Sequence, residues 1–323
     1  MTPGQRGEAV RDLQRRLLAA GLLSTVAEPG FFCATTEQAL VAFQTGRGLR
    51  GTGRCDEDTW RTIVEASWRL GDRLLMLVGP NLRGDDVNEL QALLARLGFD
   101  SGRVDGIFGA GTERAVSEFQ HNCGLYVDGV CGPDTVRALQ VLARQSGTGP
   151  GVTAVRELAT LTAGARSLAE LRVVVGQFGG LSALSRQLVQ ALRTHSATVV
   201  ATDEPDAAAQ AGAANQFAAT VYLGFEAHPD PTATLHYYAV PQFESAGGRA
   251  LAELIAEGCR SGAPSLRPVV QGLRLPVLRE TRMPAVLLTL GPVQAVLDEA
   301  PHLVKILVTA LERWAQGSTL STG

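Results

Sequence analysis

Two stretches of this chain repeat one another. Val10-x-x-Leu13-Gln14 recurs as Val87-x-x-Leu90-Gln91, and Ala39-x-x-x-Phe43-Gln44 recurs as Ala115-x-x-x-Phe119-Gln120. The offset is 77 residues for the first pair and 76 for the second, so one residue is lost in an intervening loop. A shared pattern of this length is a duplicated domain. The N-terminal part of the chain is therefore two copies of one small fold.

Each copy reads as helix, loop, helix, loop, helix. In the second, Val87, Leu90, Leu93, Leu94 and Leu97 recur at three- and four-residue spacings, which makes one helical face apolar. Gly98 follows at the C-terminal cap position. Asp100 to Gly106 is turn chemistry throughout. Thr112 is expected to cap the next helix, with Ala115, Val116 and Phe119 facing inward. A second Asp-Gly turn follows at Asp128-Gly129. Pro133 then sits early in the last helix, where its missing N–H costs little. The first copy keeps this skeleton in Leu13, Leu17, Gly21, Thr36, Ala39, Phe43, Thr59 and Ile63, but its second Asp-Gly has become Thr52-Gly53.

The full pattern, V-x-x-L-Q-x-x-L, then D-G-x-F-G, T, A-V-x-x-F-Q and G-L-x-V-D-G-x-x-G-x-x-T, resembles the three-helix peptidoglycan-binding domain found on cell-wall hydrolases. The resemblance covers roughly residues 4–68 and 81–143, and it is fuller in the second copy. It implies a shallow groove for cell-wall fragments, formed by loops and helix ends. Read from the residues alone, Phe108, Phe119 and Leu125 are core, and Asp105-Gly106 and Asp128-Gly129 are turns. If the repeats hold glycan-peptide, the expected contacts are Asp105, Tyr126 and Asp128, because a Tyr beside polar turns offers stacking plus a hydroxyl.

Charge narrows the partners. The net charge is −3, with 29 basic and 32 acidic side chains spread almost evenly over both halves. Nucleic-acid binding thus lacks its electrostatic footprint. No run of residues has the length and apolarity to span a bilayer. The N-terminus enters a helical pattern with no basic segment and apolar stretch ahead of it, so the expected location is cytoplasmic. The five Cys (33, 55, 123, 131 and 259) show no C-x-x-C spacing. They read as reduced thiols, with Cys55 and Cys131 filling one small-residue slot used twice.

The remainder has a different texture. Ser146-Gly147-Thr148-Gly149-Pro150-Gly151 is a linker by composition, followed by a short helical pattern from Val155 to Leu161. Strand patterns at Leu171–Val175, Ala197–Ala201, Ala219–Phe225, Leu235–Val240 and Pro284–Leu290 alternate with helical ones at Leu181–Leu192, Ala207–Ala214, Gly248–Cys259 and Val293–Trp314. That alternation predicts an α/β domain with a mostly parallel twisted sheet. The expected divisions are two all-α three-helix domains at 1–72 and 77–145, a linker with a short helix at 146–168, an α/β domain at 169–317 and a tail at 318–323.

Leu278-Arg279, Met283-Pro284-Ala285-Val286-Leu287-Leu288-Thr289-Leu290-Gly291 and the order of the strands resemble the zinc-dependent N-acetylmuramoyl-L-alanine amidases of type 3. That family has L-R, then P-A-V-L-V-E-x-G-F, its Glu acting as general base on zinc-bound water. Thr289 holds that place here. The family's first strand ends D-x-G-H-G-G, its His a zinc ligand. The matching segment is Val175-Gly176-Gln177-Phe178-Gly179-Gly180, which puts Phe178 there. The second ligand, a Glu ahead of the first long helix, falls in a segment missing between Gly180 and Leu181. The third lies in S-[IL]-H-A-N, and alignment with Leu223-Gly224-Phe225-Glu226-Ala227 assigns it to Phe225. A catalytic zinc needs three N, O or S ligands, so no metal or other cofactor, and no catalytic residue, is expected. Glu226, His228 and His236 lie close in sequence near a strand end and are the candidates for a relocated metal site.

The arrangement resembles the CwlM-like proteins of actinobacteria, which join paired modules to a degenerate amidase domain. That resemblance implies a regulator of peptidoglycan-precursor synthesis. It would bind a peptidoglycan fragment or precursor and contact a protein of the precursor pathway, such as the enolpyruvyl transferase of the first committed step. An amidase with unorthodox ligands and a pure cell-wall-binding protein are the alternative readings.

Overall fold

The computed structural model describes residues 1–143, 167–240, 243–263 and 266–317. The linker expected at Ser146–Gly151, the helix from Val155 to Leu161 and the tail 318–323 lie outside the described residues. The chain divides into two compact units, the described residues 1–143 belonging to the first and those from 167 onward to the second.

In the first unit, each copy is a three-helix module. The first has α1 (Glu8–Ala19), α2 (Ala34–Gly46) and α3 (Glu57–Glu65). The second has α4 (Asp85–Arg96), α5 (Ala110–Asn122) and α6 (Pro133–Ala143). The apolar stripes close two separate cores. Val10, Leu13, Leu17, Leu40, Phe43 and Ile63 fill one; Val87, Leu90, Leu94, Phe108, Phe119 and Leu139 fill the other. Cys55 and Cys131 are buried in equivalent places, and each backbone pairs with an upstream segment, Cys55 with Met1 and Cys131 with Leu75. Leu75 is fully buried in the second core, so that core takes in residues upstream of position 77. An ion pair between Arg47 and Asp85 ties the modules together. Arg73 grips the buried Asp86 carboxylate through two nitrogens, at 2.7 and 3.1 Å, and stacks over Trp68.

Four glutamines hold the loops. Gln14, Gln44, Gln91 and Gln120 are almost wholly buried. Each side-chain oxygen accepts from the N–H of a glycine: Gly30, Gly53, Gly106 and Gly129, at 2.8–3.0 Å. Each amide nitrogen donates to a threonine hydroxyl: Thr36, Thr59, Thr112 and Thr135. It also donates to the carbonyl of the residue after that glycine. A buried amide can satisfy several backbone groups at once, which a turn enclosed by helices needs. The four glycines have φ between 65° and 78°, where a side chain would be strained. Thr112 is therefore not a cap. The cap position of α5 is Gly109, and Thr112 lies inside the first turn, turned inward to Gln91.

The second unit is α/β. A short 3₁₀ turn (Leu168–Glu170) leads into β1 (Arg172–Phe178), α7 (Ser182–Thr194), β2 (Thr198–Thr202), α8 (Ala207–Gln216), β3 (Val221–Ala227) and β4 (Thr232–Val240). Then follow β5 (Phe243–Glu244), α9 (Ala246–Gly262), β6 (Val269–Leu273), α10 (Pro276–Glu280), β7 (Ala285–Gly291), α11 (Val293–Asp298) and α12 (Ala300–Ala315). The sheet runs β2-β1-β3-β7-β4, with β6 and β5 beyond β4. Neighbours from β2 to β7 are parallel, β4 is antiparallel to β7, and β6 is parallel to β4. The expected mostly parallel sheet is present. The stretch from Val293 to Trp314 is two helices, broken at Glu299 just before Pro301.

The two faces differ. On one, α7, α9 and α12 bury Val173, Val175, Leu223, Phe225, Val286 and Leu288 beneath a large apolar core. On the other, α8 and α10 make a thinner layer, where the Tyr222 hydroxyl donates to Gln210 at 2.7 Å. Strands covered on both sides read as continuous apolar runs rather than alternating ones; β7 is buried at every position.

Candidate functional site

In open α/β sheets, ligands bind beyond the carboxyl ends of the parallel strands. Here those ends are β1, β3 and β7. Their register aligns Phe178 with Glu226 and Glu226 with Thr289, so these three side chains form one row on the thin face. Thr289 is buried, and its hydroxyl donates to the Glu226 carboxylate at 2.7 Å. The next row holds Gln177, Phe225 and Leu288.

This corrects one assignment. Phe225 does not share a face with Phe178 and Thr289. It points the opposite way and is fully buried in the large core. Glu226 occupies the position beside them. Side chains alternate along a strand, so a shift of one residue in alignment exchanges the two faces. The row therefore carries one carboxylate between a phenyl ring and a hydroxyl.

Below the row the site is filled. Gly176 and Gly224 lie level with each other, and the Tyr222 side chain packs over both. A Cβ on Gly176 would fall 2.2 Å from both Gln210 Oε1 and the Tyr222 hydroxyl. Gly179 and Gly180, at φ 83° and 76°, turn the chain from β1 into α7. The buried Leu181 alone separates them from that helix, which leaves no loop for another ligand.

His228 and His236 do not complete a metal set. His228 lies past the end of β3, its Nδ1 accepting from Asp230 N–H at 3.1 Å. His236 is buried on β4, level with Leu287 rather than with Thr289. Among the described residues, no three His, Cys, Asp or Glu side chains converge as a metal site. Tested against the zinc that type 3 amidases use, the row supplies one oxygen ligand where three ligands are needed. The residues present do not fit that ion.

The structure places the other expected contacts around the loops of the second module. Asp105 Oδ1 accepts from Ile107 N–H at 2.8 Å and from Gln91 at 3.0 Å; Asp128 Oδ1 accepts from Val130 N–H at 2.9 Å and from Gln120 at 2.8 Å. Val130 N–H first, and then the Gln120 amide, hold the Asp128 carboxyl below its ordinary value. Both aspartates thus close turns. Tyr126 stands out beside them, 84% exposed. In the first module Thr52 takes the part of Asp128, its hydroxyl meeting Gln44 and Arg54 N–H at 3.2 and 3.3 Å. The altered loop keeps its clasp but not its charge.

Fold and loops together define two peptidoglycan-binding-type domains followed by an amidase-like α/β domain. Residues 6–63 and 83–139 each match the family described as a putative peptidoglycan binding domain. The N-acetylmuramoyl-L-alanine amidase CwlM of Mycobacterium tuberculosis is 40% identical over 183 residues, covering 53% of this chain and 45% of the relative. A probable N-acetylmuramoyl-L-alanine amidase of Bacillus licheniformis is 32% identical over 148 residues, covering 41% of this chain and 42% of the relative. The chain thus spans under half the length of these curated relatives. Among solved structures, the amidase Ami1 of Mycobacterium smegmatis aligns at TM-score 0.40 and 12% identity, over 46% of this chain and 99% of that one. The SleB N-terminal domain aligns at TM-score 0.22 and 38% identity, over 23% of this chain and 97% of that one. Among the described residues, no helix is long and apolar enough to cross a membrane.

Proposed function

We propose that this chain is a non-catalytic amidase homologue that regulates peptidoglycan synthesis through protein contacts. Its modules hold a cell-wall fragment or precursor, and it acts in the cytoplasm. The observation that carries the reading is the strand-end row of Phe178, Glu226 and Thr289. Hydrolysis of an amide by zinc-bound water needs a metal held by three ligands and a base that titrates near neutrality. One carboxylate, already hydrogen-bonded by a threonine, does not meet both needs. An α/β core retained without that chemistry supports a role for its surface. The bound fragment would be met by Tyr126, with Asp105 and Asp128 setting the turns around it. The protein partner is an enzyme of the precursor pathway, such as the enolpyruvyl transferase of the first committed step.

The test follows release of the stem peptide from a muramoyl-peptide, with zinc added and with chelator. No release is expected under either condition, and turnover that chelator abolishes would overturn the reading. Sedimentation with purified sacculi should retain the protein, and Tyr126→Ala should weaken that retention. Affinity capture from the native host should recover a precursor-pathway enzyme. Retention on sacculi without any such enzyme would make the chain a cell-wall-binding protein alone.

A further inference from the structure

Away from the strand-end row, an open groove of about 630 Å³ lies between α7 and β2. Arg186, Val189, Gln190, Arg193 and Thr194 of α7 line it, with Ala201 of β2. β2 is the sheet edge; among the described residues it pairs with β1 alone. Thr198 N–H donates inward to Leu171 O, so alternation along a parallel strand turns the N–H and C=O groups of Val199 and Ala201 outward. The strand, Thr-Val-Val-Ala-Thr, itself carries neither charge nor proline to blunt the edge, and Val200 is 38% exposed.

The groove is also charged in one sense. Neither α7 nor β2 contains an acidic residue. Among the described residues, neither Arg186 nor Arg193 has a carboxylate partner. Arg193 makes only a long 3.4 Å contact to Val199 O. Both side chains are exposed.

We infer that this groove is a docking site for an extended acidic peptide of a partner protein. The peptide adds to β2 as an outer strand, pairing with the main chain of Val199 and Ala201, and sets carboxylates against Arg186 and Arg193. Strand addition supplies affinity through backbone bonds and specificity through alternate side chains, and guanidinium–carboxylate pairs are among the stronger hydrogen bonds. The spacing is compatible. Seven helical residues advance about 10 Å, and three extended residues cover about the same distance. Carboxylates two or four positions apart, on one face of the added strand, therefore fall within reach of both long side chains. Asp203, Glu204 and Asp206, exposed just beyond β2, repel further acids and fix where the acidic run ends. Two arginines beside three acids make a poor track for a phosphate backbone, which favours a peptide over nucleic acid. This surface stands whether or not the strand-end row turns over a substrate.

The test uses the full chain and a fluorescein-labelled peptide of alternating Glu and Val, read by anisotropy. The Glu-Val peptide is expected to bind and to slow amide hydrogen exchange at Val199 and Ala201, and a Lys-Val peptide is expected not to bind. The double variant R186E/R193E should weaken binding at least about tenfold, since both lost charge pairs become repulsive. Ala201→Pro removes an outward N–H without touching the β1 ladder, as edge strands allow, and should weaken binding similarly. If Ala201→Pro alters the circular dichroism spectrum, the arginine variant and the exchange data decide. Three results would overturn the inference: no binding of the Glu-Val peptide, equal binding to wild type and R186E/R193E, or preferential binding of a single-stranded oligonucleotide.

Discussion

Replacing Gln120 by Leu keeps the volume of a buried side chain and removes its polar end. Its oxygen now serves the N–H groups of Gly129 and Asp128, at 3.0 and 3.1 Å, and its nitrogen serves Asp128 Oδ1, Val130 O and the Thr135 hydroxyl. The Gly129 and Thr135 bonds are the two enclosed from water. Each buried group left without a partner costs about 1–3 kcal/mol, so two cost roughly 2–6 kcal/mol before the gain from a more apolar side chain. A net loss of about 3 kcal/mol is expected, a large share of what a small domain possesses. It should lower the melting temperature of the module by more than about 10 °C. Asp128→Thr is the control, because Thr52 already performs this task in the first module; a loss of about 1 kcal/mol or less is expected.

Acid separates the two further. The Asp128 carboxyl is held below its ordinary value in the folded chain. Its contribution is therefore full above the unfolded-state value and is lost as pH falls through the folded one. Wild type should lose stability on acidification faster than Asp128→Thr. Circular dichroism melts, with hydrogen exchange at Gly129 and Val130 to localise the change, measure both. If Gln120→Leu melts within about 1 kcal/mol of wild type, or no lower than Asp128→Thr, the amide is not what holds the loop.

Further expectations concern strain and thiols. Gly176→Ala forces a methyl group against Gln210 and Tyr222 and should cost roughly 2–4 kcal/mol in urea denaturation; a neutral result would mean that this floor yields. Ser196 and Ala218 have φ of 63° and 51°, so Ser196→Gly and Ala218→Gly should each raise stability by a few tenths to about 1 kcal/mol, and a loss would contradict the assigned backbone. Hydrogen bonds from the hydroxyls of Thr35 and then Thr36 bring the Cys33 thiol down to about 7, while burial lifts Cys55 and Cys259 to about 11 and Cys131 to about 12. Maleimide should therefore label Cys33 first near neutral pH, at a rate that rises with pH and levels off above about 8; mass spectrometry of peptides would reveal any other order.

The helices of the modules could be read directly, because a face that must be buried repeats every three or four residues. The glutamines were visible in the repeat itself, yet their task was not. Its signal is a threonine six residues after each clasped glycine, found four times. In the α/β unit, strand positions were readable and strand facing was not. Val221 to Phe225 is buried throughout, so no alternation shows which side chain points where, and a slip of one residue selected Phe225 instead of Glu226. Val269–Leu273 gives no clear strand signal for the opposite reason: it is short, half-exposed and interrupted by Gly272.

The clasp has a consequence for how such modules change. From glutamine to glycine the chain travels 16, 9, 15 and 9 residues, while the closing geometry stays the same. The first loops differ by one residue, and Thr52 stands in the second loop where the other module has Asp128, while the closing contacts persist. The loops behave as exchangeable cassettes, each locked by one amide. A recognition sequence grafted at Tyr126 and Val127, which are exposed, should be displayed on an unaltered scaffold, and the two modules can diverge in what they recognise while remaining one fold.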